Sequence, residues 1–271
     1  GMRFLLTFLL LLLIGCKPES YPSGAERNPP ELHEKYFLTE DGFYLPLHRW
    51  LPKIGTPRAI IIGVHGFNDY GNFFQLPADY FSSQGIACFA YDQRGFGAAP
   101  NRGYWAGTET YTKDLQSFVR LLKRHYPELP IYLLGESMGA SVVIAAIREA
   151  RMPPVEGVIL AAPGLWPREI MPWYQTSALW LLAHTVPWLS LTGEGVAVKL
   201  SDNREMVRAL DNDPLVLRTT RVEAMYGLTN LMDLAFYNAS YISGNILLLY
   251  GEKDNIIPKE AIYGFLRRFF E

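Results

Sequence analysis

The sequence predicts an α/β fold: a mostly parallel sheet with helices on both faces and an inserted helical cap. Three observations carry this reading. Short, continuous apolar runs recur along the chain, amphipathic helical patterns separate them, and one late stretch breaks the rhythm.

Taken in order, residues 35–38 and 43–50 flank Glu40-Asp41-Gly42, a hairpin signal. Residues 59–64 (Ala-Ile-Ile-Ile-Gly-Val) form an uninterrupted apolar run, as a strand buried on both faces should. Residues 86–91 form another, and 73–83 between them suit a helix. Tyr111, Leu115, Phe118 and Leu122 recur at helical spacing, so 110–125 reads as an amphipathic helix stopping before Pro127. A strand at 131–134 and a helix at 137–150 follow, then apolar strands at 155–161 and 246–250. Pro258 opens a last helix carrying Ile262, Phe265, Leu266 and Phe269. Between 165 and 243 no strong strand is visible, and this segment is the expected cap. Its density of Trp, Leu and Met, including Trp173, Trp180 and Leu181, suggests either the mouth of an apolar pocket or side chains that only pack the cap onto the core.

The core is therefore expected at 35–164 and 244–271. Ahead of it, residues 1–16 read as an address. Arg3 precedes an apolar stretch, 4–14, which is too short to span a bilayer but suits a signal-peptide core. It ends Leu13-Ile14-Gly15-Cys16, which resembles a bacterial lipobox, so Cys16 is the expected lipidation site and membrane anchor, outside the cytoplasm in a bacterial cell envelope. The plainer alternative is an ordinary signal peptide. Residues 17–34, rich in Pro and Ser, read as a tether.

Composition excludes several classes. With 25 basic and 27 acidic residues the net charge is -2, so no basic excess exists to hold a nucleic acid. Cys16 and Cys88 are the only cysteines, too few for a disulfide framework or a zinc knuckle.

The chemistry centres on Gly135-Glu136-Ser137-Met138-Gly139, a G-x-S-x-G motif placed after a strand and before a helix. A turn that tight holds its nucleophile in a strained conformation above the sheet and requires small neighbours. Two backbone N–H groups must stabilise the developing oxyanion. Met138 supplies one, and Phe67, in the loop after 59–64, is the candidate for the other. His65 could be taken for a base but is expected to brace that loop. Asp254, past the 246–250 strand, is the expected acid, with Glu252 as its rival.

His65-Gly66, Asp92-Gln93-Arg94-Gly95-Phe96-Gly97, the Ser137 motif and Gly251-Glu252-Lys253-Asp254-Asn255-Ile256-Ile257-Pro258 occur in one order. Together they resemble the monoacylglycerol lipase and lysophospholipase branch of the α/β-hydrolases, of serine aminopeptidase S33 type, over roughly residues 35–270. Ser201-Asp202-Asn203 and Asn212-Asp213-Pro214-Leu215 resemble that branch's lid. The resemblance implies a serine ester hydrolase acting on single-chain glycerolipids or similar esters, without a cofactor or metal. It also implies a structural role for Asp92 and Arg94. Epoxide hydrolases and dehalogenases share the scaffold but use Asp where Ser137 stands.

In this fold the catalytic His follows the acid. The five histidines, His33, His48, His65, His125 and His184, all precede Asp254. The expectation is a base supplied by sequence continuing past Glu271, through a further strand and helix, with His184 as a stand-in. Two rival readings stay open: a non-catalytic lipid-binding lipoprotein with a degenerate triad, and a thioesterase or short-chain esterase.

Overall fold

The computed structural model describes residues 2–5, 7–8, 18–192, 212–251 and 260. Cys16, Ser201-Asp202-Asn203, Glu252, Asp254 and the helix expected from Pro258 lie outside them.

An eight-stranded sheet forms the centre. In chain order its strands are β1 (Glu31–Leu32), β2 (Tyr36–Leu38), β3 (Tyr44–Trp50), β4 (Ala59–Val64), β5 (Ile86–Tyr91), β6 (Ile131–Glu136), β7 (Gly157–Ala161) and β10 (Ile246–Leu249). Their spatial order is β1-β2-β3-β5-β4-β6-β7-β10. The β1–β2–β3–β5 pairings are antiparallel and the rest parallel. The five parallel strands are the apolar runs of the sequence, and β4 and β5 are almost wholly buried.

Helices α1 (Gln75–Ser83), α2 (Thr108–His125) and α3 (Met138–Ile147) connect these strands. The predicted stripe of α2 is its buried face: Tyr111, Leu115, Phe118 and Leu122 are at most 1% exposed. Phe118 meets Phe37 and Tyr91 with ring centroids 5.0 and 5.1 Å apart. Helix α3 is buried from Met138 to Ala146, and its alanines at 140, 145 and 146 suit close packing on the sheet. It begins one residue later than the sequence suggested, leaving Ser137 in the turn before it.

Two differences from the sequence reading stand out. First, the 18–34 segment does not hang free. Tyr21 N–H donates to Trp105 O at 2.8 Å, Ser23 N–H to Thr110 Oγ1 at 2.9 Å, and Arg27 N–H to Glu40 O at 2.7 Å, while Glu31–Leu32 joins the sheet. Its proline-rich composition suggested flexibility, but the open edge of β2 and the α2 surface supply partners that composition cannot reveal. Second, the 165–243 region contains an antiparallel pair, β8 (Ser190–Thr192) and β9 (Thr219–Arg221), besides α4 (Trp173–Thr185) and α5 (Val222–Asn238). Three-residue strands rich in Thr and Ser leave no hydrophobic period to read. Helix α4 exposes Trp173 at 78%, and Trp180 and Leu181 are half exposed.

Candidate active site

The parallel strands end together at one edge of the sheet, the customary place for a site in an open α/β fold. From β4 comes the loop His65–Tyr70, from β6 the Ser137 turn, and from β7 the segment Ala162–Gly164. β10, which leads toward Asp254, pairs in parallel with β7 two places from β6.

Ser137 has φ +54° and ψ −118°, a strained conformation for a residue with a Cβ. The turn is held from both sides. Ser137 N–H donates to Ala161 O at 3.0 Å, and Gly164 N–H donates to Ser137 O at 2.8 Å. The two motif glycines are sterically required. A Cβ on Gly139 would lie 1.9 Å from Val64 O, and one on Gly135 would lie 2.6 Å from Ala140 Cα. The small residues of G-x-S-x-G thus let β6, β4 and α3 converge beneath the serine.

Met138 N–H is the first of α3 and lies at its positive end. Among the described residues neither it nor Phe67 N–H has an acceptor. Gly66 brings the Phe67 loop beside the serine: a Cβ there would lie 3.1 Å from Ser137 Cβ. Ser137, Met138 and the Phe67 loop are therefore together, as the sequence suggested.

His65 is fully buried. Gln93 N–H donates to its Nε2 at 2.9 Å, which leaves Nδ1 to donate to Gly66 O at 2.8 Å. Burial pushes its pKa down to about 4, so the ring is neutral and both nitrogens are used. This is the bracing role expected of it. His48 bonds Asp92 at 2.9 Å, and Gly71 and Ala98 N–H groups donate to the same carboxylate. In α4, His184 bonds Trp180 O at 2.7 Å and stacks on that residue's ring at 4.2 Å. Arg94 ties Asp41 to Asp114. Asp92 and Arg94 are structural, as implied.

Sequence reading gave no weight to two carboxyls near the serine. Burial pushes Glu136 up to about 7, with the Asp69 charge adding to it. Burial likewise raises Asp69 to about 6, opposed by the Tyr70 N–H it accepts and reinforced by Asp213 and Asp92. A carboxyl raised in the folded state binds its proton more tightly there than when unfolded. Wild-type stability should therefore fall as pH rises from about 4.5 to about 7. Glu136→Gln, neutral throughout, should remove the share of that slope owed to Glu136, leaving that of Asp69, and be more stable than wild type at pH 8 by about 3 kcal/mol. Urea melts at several pH values measure this. Parallel curves for the two proteins would refute it.

The model of the family described as serine aminopeptidase, S33, matches residues 55–271. The chain belongs to that family. It is 28% identical over 248 residues to the monoglyceride lipase of Rattus norvegicus, covering 90% of this chain and 80% of that one. It is 27% identical over 234 residues to the monoacylglycerol lipase of Mycolicibacterium smegmatis, covering 83% and 80%. The crystal structure of the Paleococcus ferrophilus monoacylglycerol lipase superposes with a TM-score of 0.69 at 24% identity, covering 83% of this chain and 84% of that one. The sheet order and helical layers of this S33 chain are those of an α/β-hydrolase.

Proposed function

We propose that the protein is a serine ester hydrolase acting on a monoacylglycerol, lysophospholipid or similar single-chain carboxylic ester. The observation that carries this is Ser137, strained in a strand-to-helix turn beside two N–H groups that have no acceptor among the described residues. The relatives named as monoglyceride and monoacylglycerol lipases support the ester class. Ser137 Oγ attacks the ester carbonyl, and its proton passes to an imidazole that Asp254 orients. Met138 and Phe67 N–H groups hold the oxyanion. Collapse of this intermediate expels the alcohol, which takes the proton, and water then hydrolyses the acyl-enzyme by the same steps in reverse.

The test is fluorophosphonate labelling of the native gene product, with hydrolysis rates across monoacylglycerols, lysophospholipids, short soluble esters and thioesters. Labelling at Ser137 with a preference for long single-chain esters is expected. No labelling and no turnover would favour the lipid-binding alternative, and a preference for thioesters or short esters would change the substrate class.

The same reading places the protein at a lipid surface. Trp173, Tyr174, Trp180 and Trp188 expose apolar area on the cap, which suits a lipid-phase substrate. We further propose that the leader is cleaved before Cys16 and that Cys16 carries lipid in a bacterial cell envelope. Intact-mass analysis of protein from the native host should show an acylated Cys16 at the N-terminus. An unmodified Cys16, or a mature start elsewhere, would refute this.

A further inference from the structure

The Phe67 N–H is aimed by a four-residue turn. Asp69 N–H donates to Gly66 O at 3.3 Å, which puts Phe67 and Asn68 at the two central positions. Asn68 has φ +63°. A positive φ at the second central position is the type II requirement, met by Gly or Asn. Asn68 in this conformation turns Asp69 N–H back onto Gly66 O, the carbonyl of the peptide that carries Phe67 N–H. It so shares with His65 Nδ1, which donates to the same oxygen at 2.8 Å, the aiming of that N–H beside Ser137.

What holds Asn68 comes from Leu217 and Thr220, far along the chain. Asn68 Nδ2 donates to Thr220 Oγ1 at 2.9 Å, and Leu217 N–H donates to Asn68 O at 2.9 Å. Two residues along, Tyr70 O–H donates to Asp213 Oδ2 at 2.6 Å, and Asp213 Oδ1 accepts from Leu215 N–H at 2.9 Å. Three hydrogen bonds thus join residues 68–70 to the 213–220 arm of the cap region. A cavity of about 10 Å³ lined by Phe67, Asn68, Tyr104, Thr220 and Arg221 marks the contact. Arg221 lies over the Tyr104 ring at 4.4 Å, fixing β9 to the core from its other side.

We propose that Asn68 is a positioning residue for the oxyanion hole, and that the Thr220 hydroxyl of the cap arm sets its geometry. The seated arm then completes the hole, and an arm displaced from Asn68 leaves Phe67 N–H free to turn away. The kinetic part of this inference rests on the ester-hydrolase reading above.

The chemistry makes the test sharp. Thr220→Val keeps the β-branched shape and removes the acceptor, whereas Thr220→Ser keeps the hydroxyl. Loss of oxyanion positioning acts on the transition state, so kcat should fall about tenfold in Thr220→Val with KM within about twofold. Thr220→Ser should stay close to wild type. Amide hydrogen exchange across 65–71 should rise severalfold in Thr220→Val and not in Thr220→Ser. A second pair checks the other partner. Asn68→Asp can still accept from the Thr220 hydroxyl and tolerates positive φ, whereas Asn68→Gly suits the backbone but has no side chain. Asp should retain more kcat than Gly.

A merely structural contact would lower Tm equally in matched variants and leave kcat unmoved. Equal kcat in Thr220→Val and wild type, or equal losses in the Val and Ser variants, would overturn the proposal. If wild type itself neither reacts with fluorophosphonate nor turns over esters, the ester-hydrolase reading fails instead. The positioning claim is then decided by exchange alone, and unchanged exchange in Thr220→Val overturns it.

Discussion

Ser137→Ala is expected to lower ester hydrolysis by at least about a thousandfold and to abolish fluorophosphonate labelling. Loss of the nucleophile of a triad typically removes several powers of ten, and what remains comes from substrate binding and the oxyanion donors. Those donors are backbone groups, Phe67 and Met138 N–H, which the substitution leaves in place. The fold should not suffer, because Ser137 is attached to its surroundings through its backbone: its N–H to Ala161 O, its O to Gly164 and Ala140 N–H. A companion variant separates chemistry from conformation. Ser137→Gly also lacks the hydroxyl, but its φ of +54° carries no Cβ penalty, so it should be more stable than Ser137→Ala by about 1 kcal/mol. That is a rise of about 2–4 °C in Tm for a chain of this size. Turnover by Ser137→Ala at wild-type rates would remove Ser137 from the mechanism, whatever its backbone looks like.

The elements that could be read from the sequence are those with strong local signals. The strands Ala59–Val64 and Ile86–Tyr91 are buried on both faces and therefore apolar throughout. Helix α2 has a buried stripe at helical spacing. Ser137 was legible because steric demands at Gly135 and Gly139 leave a fixed imprint on residue type. The features that escaped depend on partners far away in the chain. Asn68 is an ordinary polar residue until Thr220 and Leu217 meet it. Strands β8 and β9 exist through each other, since Ser-Leu-Thr and Thr-Thr-Arg carry no period of their own. Glu136 passes in sequence for any motif filler, and its raised pKa arises from burial and from Asp69, 67 positions away. The attachments of 18–34 escaped for a related reason. Composition estimates how freely 18–34 would move alone, whereas the core offers Trp105 O, Glu40 O and Thr110 Oγ1 as acceptors for it.

Arg94→Met is expected to destabilise the protein by about 3–5 kcal/mol, the usual loss when one partner of a buried ion group is removed. Arg94 donates two hydrogen bonds to Asp41, both at 2.7 Å, and two to Asp114, at 2.8 and 2.9 Å. All three side chains are nearly buried, at 4–6% exposure. The guanidinium also lies 4.6 Å from the Phe43 ring centroid, so the β2–β3 turn, the 92–97 loop and α2 meet on one side chain. Methionine restores much of the stem volume and leaves the two carboxylates without their cation. The pH dependence identifies the cause. In the wild type, burial raises Asp41, but hydrogen bonds from Arg94, the Thr39 hydroxyl and Gly24 N–H outweigh it and hold the pKa at about 2, below the ordinary 3.8. Its stabilising contribution is thus fully present above pH 3.8 and is lost only as pH falls toward 2. In the variant, desolvation acts against less opposition and pushes both carboxyls upward. Burial already raises Asp114 to about 6 in the wild type, so the wild type gains somewhat through that carboxyl as pH falls from 7 toward 4. The variant, with both carboxyls pushed up further, should gain more. The gap between the two proteins is expected to narrow over that interval in urea melts. Adding Asp41→Asn and Asp114→Asn to Arg94→Met removes the stranded charges, and should recover part of the loss at pH 7 without affecting it much at pH 4. A gap that stays constant with pH, and a triple variant no better than the single one, would mean that Arg94 contributes through packing on Phe43 alone.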